Sequence, residues 1–178
     1  AQIIQATGNP DVHLAVVDVS DLDAIGAFVD DFSVESLDVL IHNAGVLLGE
    51  PAVSADGLEL TLATNLVGPL ALSAGLLGRL AKGDRARMIW VSSGGMYTQK
   101  LSVQALLEPP GKFDGVTAYA RTKRGMVVLA QQLQAQLKES GVAVHAMHPG
   151  WADTPGVQSS IPGFWRLTQS ILRTPEEG

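Results

Sequence analysis

A Rossmann-type α/β fold is expected for this chain: three layers around a doubly wound parallel sheet, without its first strand–turn–helix unit. Short β-branched runs alternate with helical patterns, as in βαβ units whose parallel strands are buried on both faces. No Gly-x-Gly-x-x-Gly occurs in the 178 residues, although doubly wound folds commonly open on a strand, a glycine-rich turn and a helix. The two ends complete the pattern. Residues 1–6 read as the tail of one helix and 173–178 as the cap of another, so 1–178 is expected to be a single domain forming an internal portion of a larger one.

In chain order, the first strand is expected over 13–17, followed by a helix over 21–32. That helix opens on Asp21 as its cap and places Leu22, Ile25, Phe28 and Val29 at helical spacing. A second strand falls at 39–42 and a long helix at about 56–81. The third strand is expected at 86–91, then a loop over 106–115 with Pro109, Pro110 and Gly111. Another long helix should run from about 116 to 140 and stop at Gly141, a residue that ends helices readily. The last strand is placed at 142–148. No internal repeat or low-complexity stretch interrupts this series.

Composition narrows the function classes. A formal net charge of −6 argues against nucleic acid or an anionic membrane surface as the main partner. The absence of cysteine excludes disulfides, thiol nucleophiles and thiolate metal sites. His13, His42, His145 and His148 lack the i, i+4 spacing of a helical metal pair, so no metal site is expected. No basic, apolar leader opens the sequence. The longest run of apolar and small residues, 66–78, is short for a membrane span and contains a proline. A soluble, cytoplasmic protein is the expectation.

The strongest chemical signal is Tyr119-Ala120-Arg121-Thr122-Lys123. Residues four apart share one helix face, so phenol and ammonium can reach one pocket. An ammonium beside a phenol favours phenolate and is expected to lower its pKa from about 10. A tyrosine so tuned passes protons near neutral pH. By itself the spacing is also that of an ordinary solvated helix face. A second physical clue lies at Asn65: Pro69 has no N–H, so the Asn65 carbonyl loses its helical partner and must turn to water or a side chain. An ordinary proline kink is the plainer account.

Taken in order, Asp18-Val19, Asn43-Ala44-Gly45, Asn65, Ser93, Tyr119 with Lys123, and Pro149-Gly150 followed by Thr154 resemble the short-chain dehydrogenase/reductase superfamily over nearly the whole chain. Within it, Ser92-Ser93-Gly94-Gly95-Met96, Phe113-Asp114-Gly115 and His148-Pro149-Gly150-Trp151-Ala152-Asp153-Thr154-Pro155-Gly156-Val157 are similar to the branch known as SDR family member 12. The chain departs from the family in two respects: the glycine-rich cofactor segment is missing, and His42 stands where asparagine is common.

The resemblance implies an NAD(P)-dependent oxidoreductase, with NADP or NAD as cofactor and a small-molecule alcohol/carbonyl substrate. Tyr119 would be the general acid/base, and Lys123 would tune it and bond the nicotinamide ribose. Ser93 would orient the substrate oxygen, with Ser92 the competing choice. Asn65 would hold water in a proton relay toward Lys123. Asp18 would accept from the adenine amino group with Val19 beside the ring. Asn43, Ala44 and Gly45 would line the ribose side, and Gly45 lets the backbone come close. Pro149 and Gly150 would turn beside nicotinamide, and Thr154 would bind its carboxamide. Tyr97 reads as pocket lining; Trp151, Phe164 and Trp165 read as a substrate lid or as core.

Two further expectations come from the same comparison. A homodimer or homotetramer could form through the long helices, for which the stripe Met126, Leu129, Leu133 and Leu137 would serve, as it would for a buried core face. The alternative function is a truncated, non-catalytic member acting in folding, oligomerisation or nucleotide sensing.

Overall fold

Three parallel strands in the order β1–β2–β3 carry the structure. They are β1 (Val39–His42), β2 (Arg87–Val91) and β3 (Ala143–Met147). The computed structural model describes residues 2–108, 111–150, 153, 158 and 162–174. Around the sheet lie α1 (Gln2–Thr7), α2 (Leu22–Asp31), α3 (Leu60–Leu62), α4 (Gly68–Leu80), α5 (Val103–Leu107), α6 (Gly115–Gln136) and α7 (Pro162–Thr168). A π-helical turn, Ala63–Val67, joins α3 to α4. Parallel neighbours require crossover connections, and these are α3–α4 between β1 and β2, and α5–α6 between β2 and β3.

The sheet buries one face. Met88 and Trp90 of β2, with Val142 and Val144, pack against Leu80 of α4 and Met126 and Ala130 of α6. Trp90 and Met126 are fully excluded from solvent, and burying an aromatic or aliphatic side chain of this size stabilises by about 1.5–3 kcal/mol. Leu129, Leu133 and Leu137 pack on the same cluster, so the apolar stripe of α6 is used in the core. On the opposite face Val39, Ile41 and Met147 are exposed. The Rossmann-type arrangement of parallel strands and flanking helices is therefore present, and among the described residues no helix covers these three.

Residues 13–17 are not a strand: the segment is irregular, and Leu14 and Val16 are each 91% exposed. A strand exists only through its ladder, and among the described residues this segment has no strand beside it. The long helix starts at Leu60, later than 56, and its π turn lies immediately before Pro69. Removing one N–H at Pro69 displaces the bonding register by a residue, and the Gly68 N–H accordingly bonds the Ala63 carbonyl. The continuous run Leu60–Leu80 has 21 residues and contains an 18-residue window of mean hydropathy 1.6, enough by length and composition to cross a membrane, unlike the run 66–78. Its Leu62, Ala63, Leu76 and Leu80 are buried in the protein. Finally, α5 precedes the region expected to be loop and runs into it over Leu106 and Leu107; Ser102 caps it, its hydroxyl accepting from the Ala105 N–H.

Candidate active site

The carboxyl ends of the three parallel strands present the residues of interest. After β1 comes the exposed turn Asn43-Ala44-Gly45, after β2 come Ser92 and Ser93, and after β3 come Pro149 and Gly150. In open α/β sheets the crevice outside these ends is where ligands bind.

Helix α6 delivers the Tyr–Lys pair. Its first turn is set by Asp114, whose carboxylate accepts from the Thr117 N–H at 3.1 Å, the usual work of an N-cap aspartate. Gly115 follows because the helix start presses on the loop after β1: a Cβ there would lie 1.7 Å from the Leu48 carbonyl oxygen. Tyr119 is half-buried, and Lys123, one turn on, is buried. The Lys123 ammonium lies 5.5 Å from the centre of the Tyr119 ring and donates to the Val91 carbonyl at 2.8 Å. Burial pulls the Lys123 pKa down to about 8, which still leaves it mostly charged at neutral pH.

The phenol shifts in the direction opposite to expectation. Burial raises the Tyr119 pKa above its usual value, and a hydrogen bond with Ser93 draws it part of the way back. Desolvation penalises phenolate, and the ammonium sits off the ring at 5.5 Å, so burial wins over the lysine.

Ser92 and Ser93 separate cleanly. Side chains alternate across a strand, and only Ser93 bonds the phenol. Its oxygen also accepts from the Gly95 N–H at 3.3 Å, capping the 3-10 turn Gly94–Thr98. Ser92 is buried against α6 and donates to the Lys123 carbonyl at 2.9 Å. Spacing alone contained no signal for that second contact.

Asn65 is completely buried in the π turn. Its Oδ1 accepts from the Val46 N–H at 2.8 Å, and its Nδ2 donates to the Val46 carbonyl at 3.0 Å and to Thr122 Oγ1 at 3.2 Å. Thr122 in turn donates to the Tyr119 carbonyl at 2.8 Å. Gly45 lies between the two polar groups: a Cβ on it would be 3.2 Å from Asn65 Oδ1 and 3.3 Å from Lys123 Nζ. Asn65, Lys123 and the Asn43–Gly45 turn are thereby brought together, with Ser93 and Tyr119 beside them.

The remaining residues are less converged. The exposed Asp18 carboxylate accepts from the Ser20 N–H at 2.8 Å and the Ser20 hydroxyl at 2.7 Å, and these bonds lower its pKa. Asp21, not Asp18, caps α2, accepting from the Ala24 N–H at 3.0 Å. The Val19 carbonyl is packed against Gly68 of α4. Gly150 has φ +92°, which glycine adopts without strain. Thr154, Trp151 and the side chain of Phe164 lie outside the described residues. Trp165 is half-buried, its indole N–H donating to Asp153 at 2.8 Å. Tyr97, expected to line a pocket, is 76% exposed. His42 is buried, contacts the Trp90 ring at 4.5 Å between centroids and bonds Ser73 Oγ at 2.6 Å; its departure from asparagine gives it a structural task in the core.

Parallel strands with flanking helices thus form a Rossmann-type α/β fold that gathers a serine, a tyrosine, a lysine and an asparagine at its strand ends. The chain belongs to the short-chain dehydrogenase family, whose model matches residues 1–163. It is 41% identical over 180 residues to human dehydrogenase/reductase SDR family member 12, covering 99% of this chain and 56% of that protein. Bovine retinol dehydrogenase 12 is 36% identical over 183 residues, covering 100% of this chain and 58% of its own length. The chain thus spans little more than half the length of these curated relatives. Among solved structures, the NADPH-bound carbonyl reductase from chicken fatty liver is similar with a TM-score of 0.63 and 25% identity, over 87% of this chain and 65% of that one.

Proposed function

We propose that the chain carries the catalytic half of an NAD(P)-dependent oxidoreductase acting on an alcohol/carbonyl pair. The observation that carries this reading is the buried Lys123 ammonium 5.5 Å from the centre of the Tyr119 ring, with Gly45 and Asn65 against it. The family membership and the carbonyl reductase and retinol dehydrogenase relatives support it.

The donor set fits a nicotinamide nucleotide. Gly45 leaves bare backbone between Asn65 and Lys123 where any Cβ would crowd both, a cradle for a ribose. Lys123 would bond its hydroxyls, and Asn43 and Ala44 would flank it. Pro149 and Gly150, with Thr154, would hold the nicotinamide; Asp18 and Val19 would meet the adenine. The bound nucleotide would supply hydride chemistry. The protein supplies the proton. Tyr119, kept protonated by burial, gives its phenolic proton to the carbonyl oxygen, while Ser93 donates to the same oxygen and fixes it. Lys123, charged below about pH 8, stabilises the phenolate that results, and Asn65 with bound water returns the proton.

Titration of the chain with NADH and NADPH, followed by nicotinamide fluorescence, tests this reading. Saturable binding and loss of turnover in Tyr119→Phe are expected; unchanged turnover in that variant overturns the mechanism. A second reading, a non-catalytic folding or nucleotide-sensing member, is favoured by one observation. Asp18 is bonded to Ser20, and among the described residues the segment leading to it is held by no strand. A folded chain that binds neither nucleotide would favour the folding role, and one that binds a nucleotide without turning over would favour the sensing role.

A further inference from the structure

Two adjacent residues at the end of β2 grip one residue of α6 in opposite senses. The Val91 carbonyl accepts from Lys123 Nζ at 2.8 Å, and the Ser92 hydroxyl donates to the Lys123 carbonyl at 2.9 Å. We infer that Ser92 is a positioning residue for Lys123, its hydroxyl fixing the turn of α6 that holds the ammonium beside Tyr119. The inference rests on the reading of Tyr119 and Lys123 as the active pair.

The geometry favours this over a serine that merely ends a strand. Ser92 is 5% exposed, so its hydroxyl must find a protein partner. Met96 Sδ at 3.6 Å is a weak acceptor, whereas the carbonyl at 2.9 Å is a good one. A helix carbonyl has a second lone pair, so accepting from Ser92 takes no bond away from α6. The two clasp bonds run from different ends of Lys123, one from the side-chain tip and one to the main chain. A shift of α6 along its axis, or a rotation about it, therefore lengthens at least one of them. From the other side Asn65 holds Thr122, whose hydroxyl holds the Tyr119 carbonyl. The turn from Tyr119 to Lys123 is thus held on two flanks, by Asn65 through Thr122 and by Ser92. Without Ser92 the second flank opens, water reaches the ammonium, and its burial is relieved.

Competitive trace labelling of amines, read by mass spectrometry at each lysine, gives the titration midpoint of Lys123 without any need for turnover. In the native chain it should lie at about 8. Ser92→Ala should raise it by about one unit or more toward the usual lysine value, and Ser92→Thr, which keeps the hydroxyl, should restore it. A folded Ser92→Ala whose Lys123 midpoint is unmoved overturns the inference. Should Ser92→Ala fail to fold, Ser92→Thr and Ser92→Val are compared, since they share a shape and differ in the donor. Equal behaviour of the two, including equal loss of fold, overturns the inference; a native midpoint in Thr with a raised midpoint or lost fold in Val upholds it. Tyr119→Phe with unchanged turnover would instead defeat the functional reading and leave the Lys123 midpoint where it was.

Discussion

Asn65 holds Val46 by both polar groups of its backbone, accepting from its N–H at 2.8 Å and donating to its carbonyl at 3.0 Å. A single buried side chain thereby fixes the end of the turn that begins at Asn43, in the manner of one rung of a sheet. With its third bond, to Thr122 at 3.2 Å, it joins the β1 turn to α6.

Replacing Asn65 by Ala removes all three bonds, two of them to the half-buried Val46 backbone. Each such loss costs about 0.5–1.5 kcal/mol, and an unsatisfied buried group about 1–3. A destabilisation of about 3 kcal/mol is expected in urea unfolding, with the midpoint falling and the slope unchanged. A shift under about 1 kcal/mol would mean water replaces the amide without loss.

Acid stability should report His42. Burial lowers its pKa from 6.5 to about 4, so between these values the unfolded chain binds a proton that the folded chain does not. Its contribution is fully present above about pH 6.5 and is lost as pH falls toward 4. By linkage the loss amounts to about 3 kcal/mol at pH 4. Denaturant midpoints at pH 7 and pH 5 should differ more for the native chain than for His42→Asn; equal differences would show that His42 is solvated.

Tyr119→Phe should leave nucleotide binding intact and lower turnover by about 10²–10⁴, the usual range for a lost general acid. Because burial raises the phenol while Lys123 loses its charge above about pH 8, carbonyl reduction should stay level through neutral pH and fall as Lys123 deprotonates, before the phenol ionises. Only two tyrosines are present, so tyrosinate absorbance in a Tyr97→Phe background reads Tyr119 alone. A midpoint below 9 would restore the expectation that Lys123 dominates.

Two glycines of one helix should respond oppositely to alanine. A Cβ on Gly68 would lie 1.7 Å from the Val19 carbonyl oxygen, and one on Gly78 meets nothing within 4 Å. Backbone cannot yield as a flexible side chain can, so Gly68→Ala should destabilise by about 1–3 kcal/mol or more. Gly78→Ala should stabilise by about 0.5–1 kcal/mol through helix propensity. Thermal unfolding of the two variants measures both signs.

The parallel α/β architecture, the strand at Val39–His42 and the helix holding Tyr119 and Lys123 were legible in the sequence, because alternation and helical spacing are local patterns. So were Asp21 as the cap of α2 and the disturbance at Pro69, since capping and a missing N–H act within one turn. The family followed from motif order, in which each residue type marks a place at a strand end. Tertiary structure alone decided the rest. The segment 13–17 has strand composition but, among the described residues, no neighbouring strand to pair with. Adjacent serines of equal chemistry diverge because the pleat aims Ser92 at α6, while Ser93 reaches the phenol. The Asn65 side chain crosses to a residue 19 positions earlier, and the Tyr119 phenol moves up because surrounding atoms exclude water. Pairing, orientation and desolvation depend on what lies across space, which no local spacing encodes.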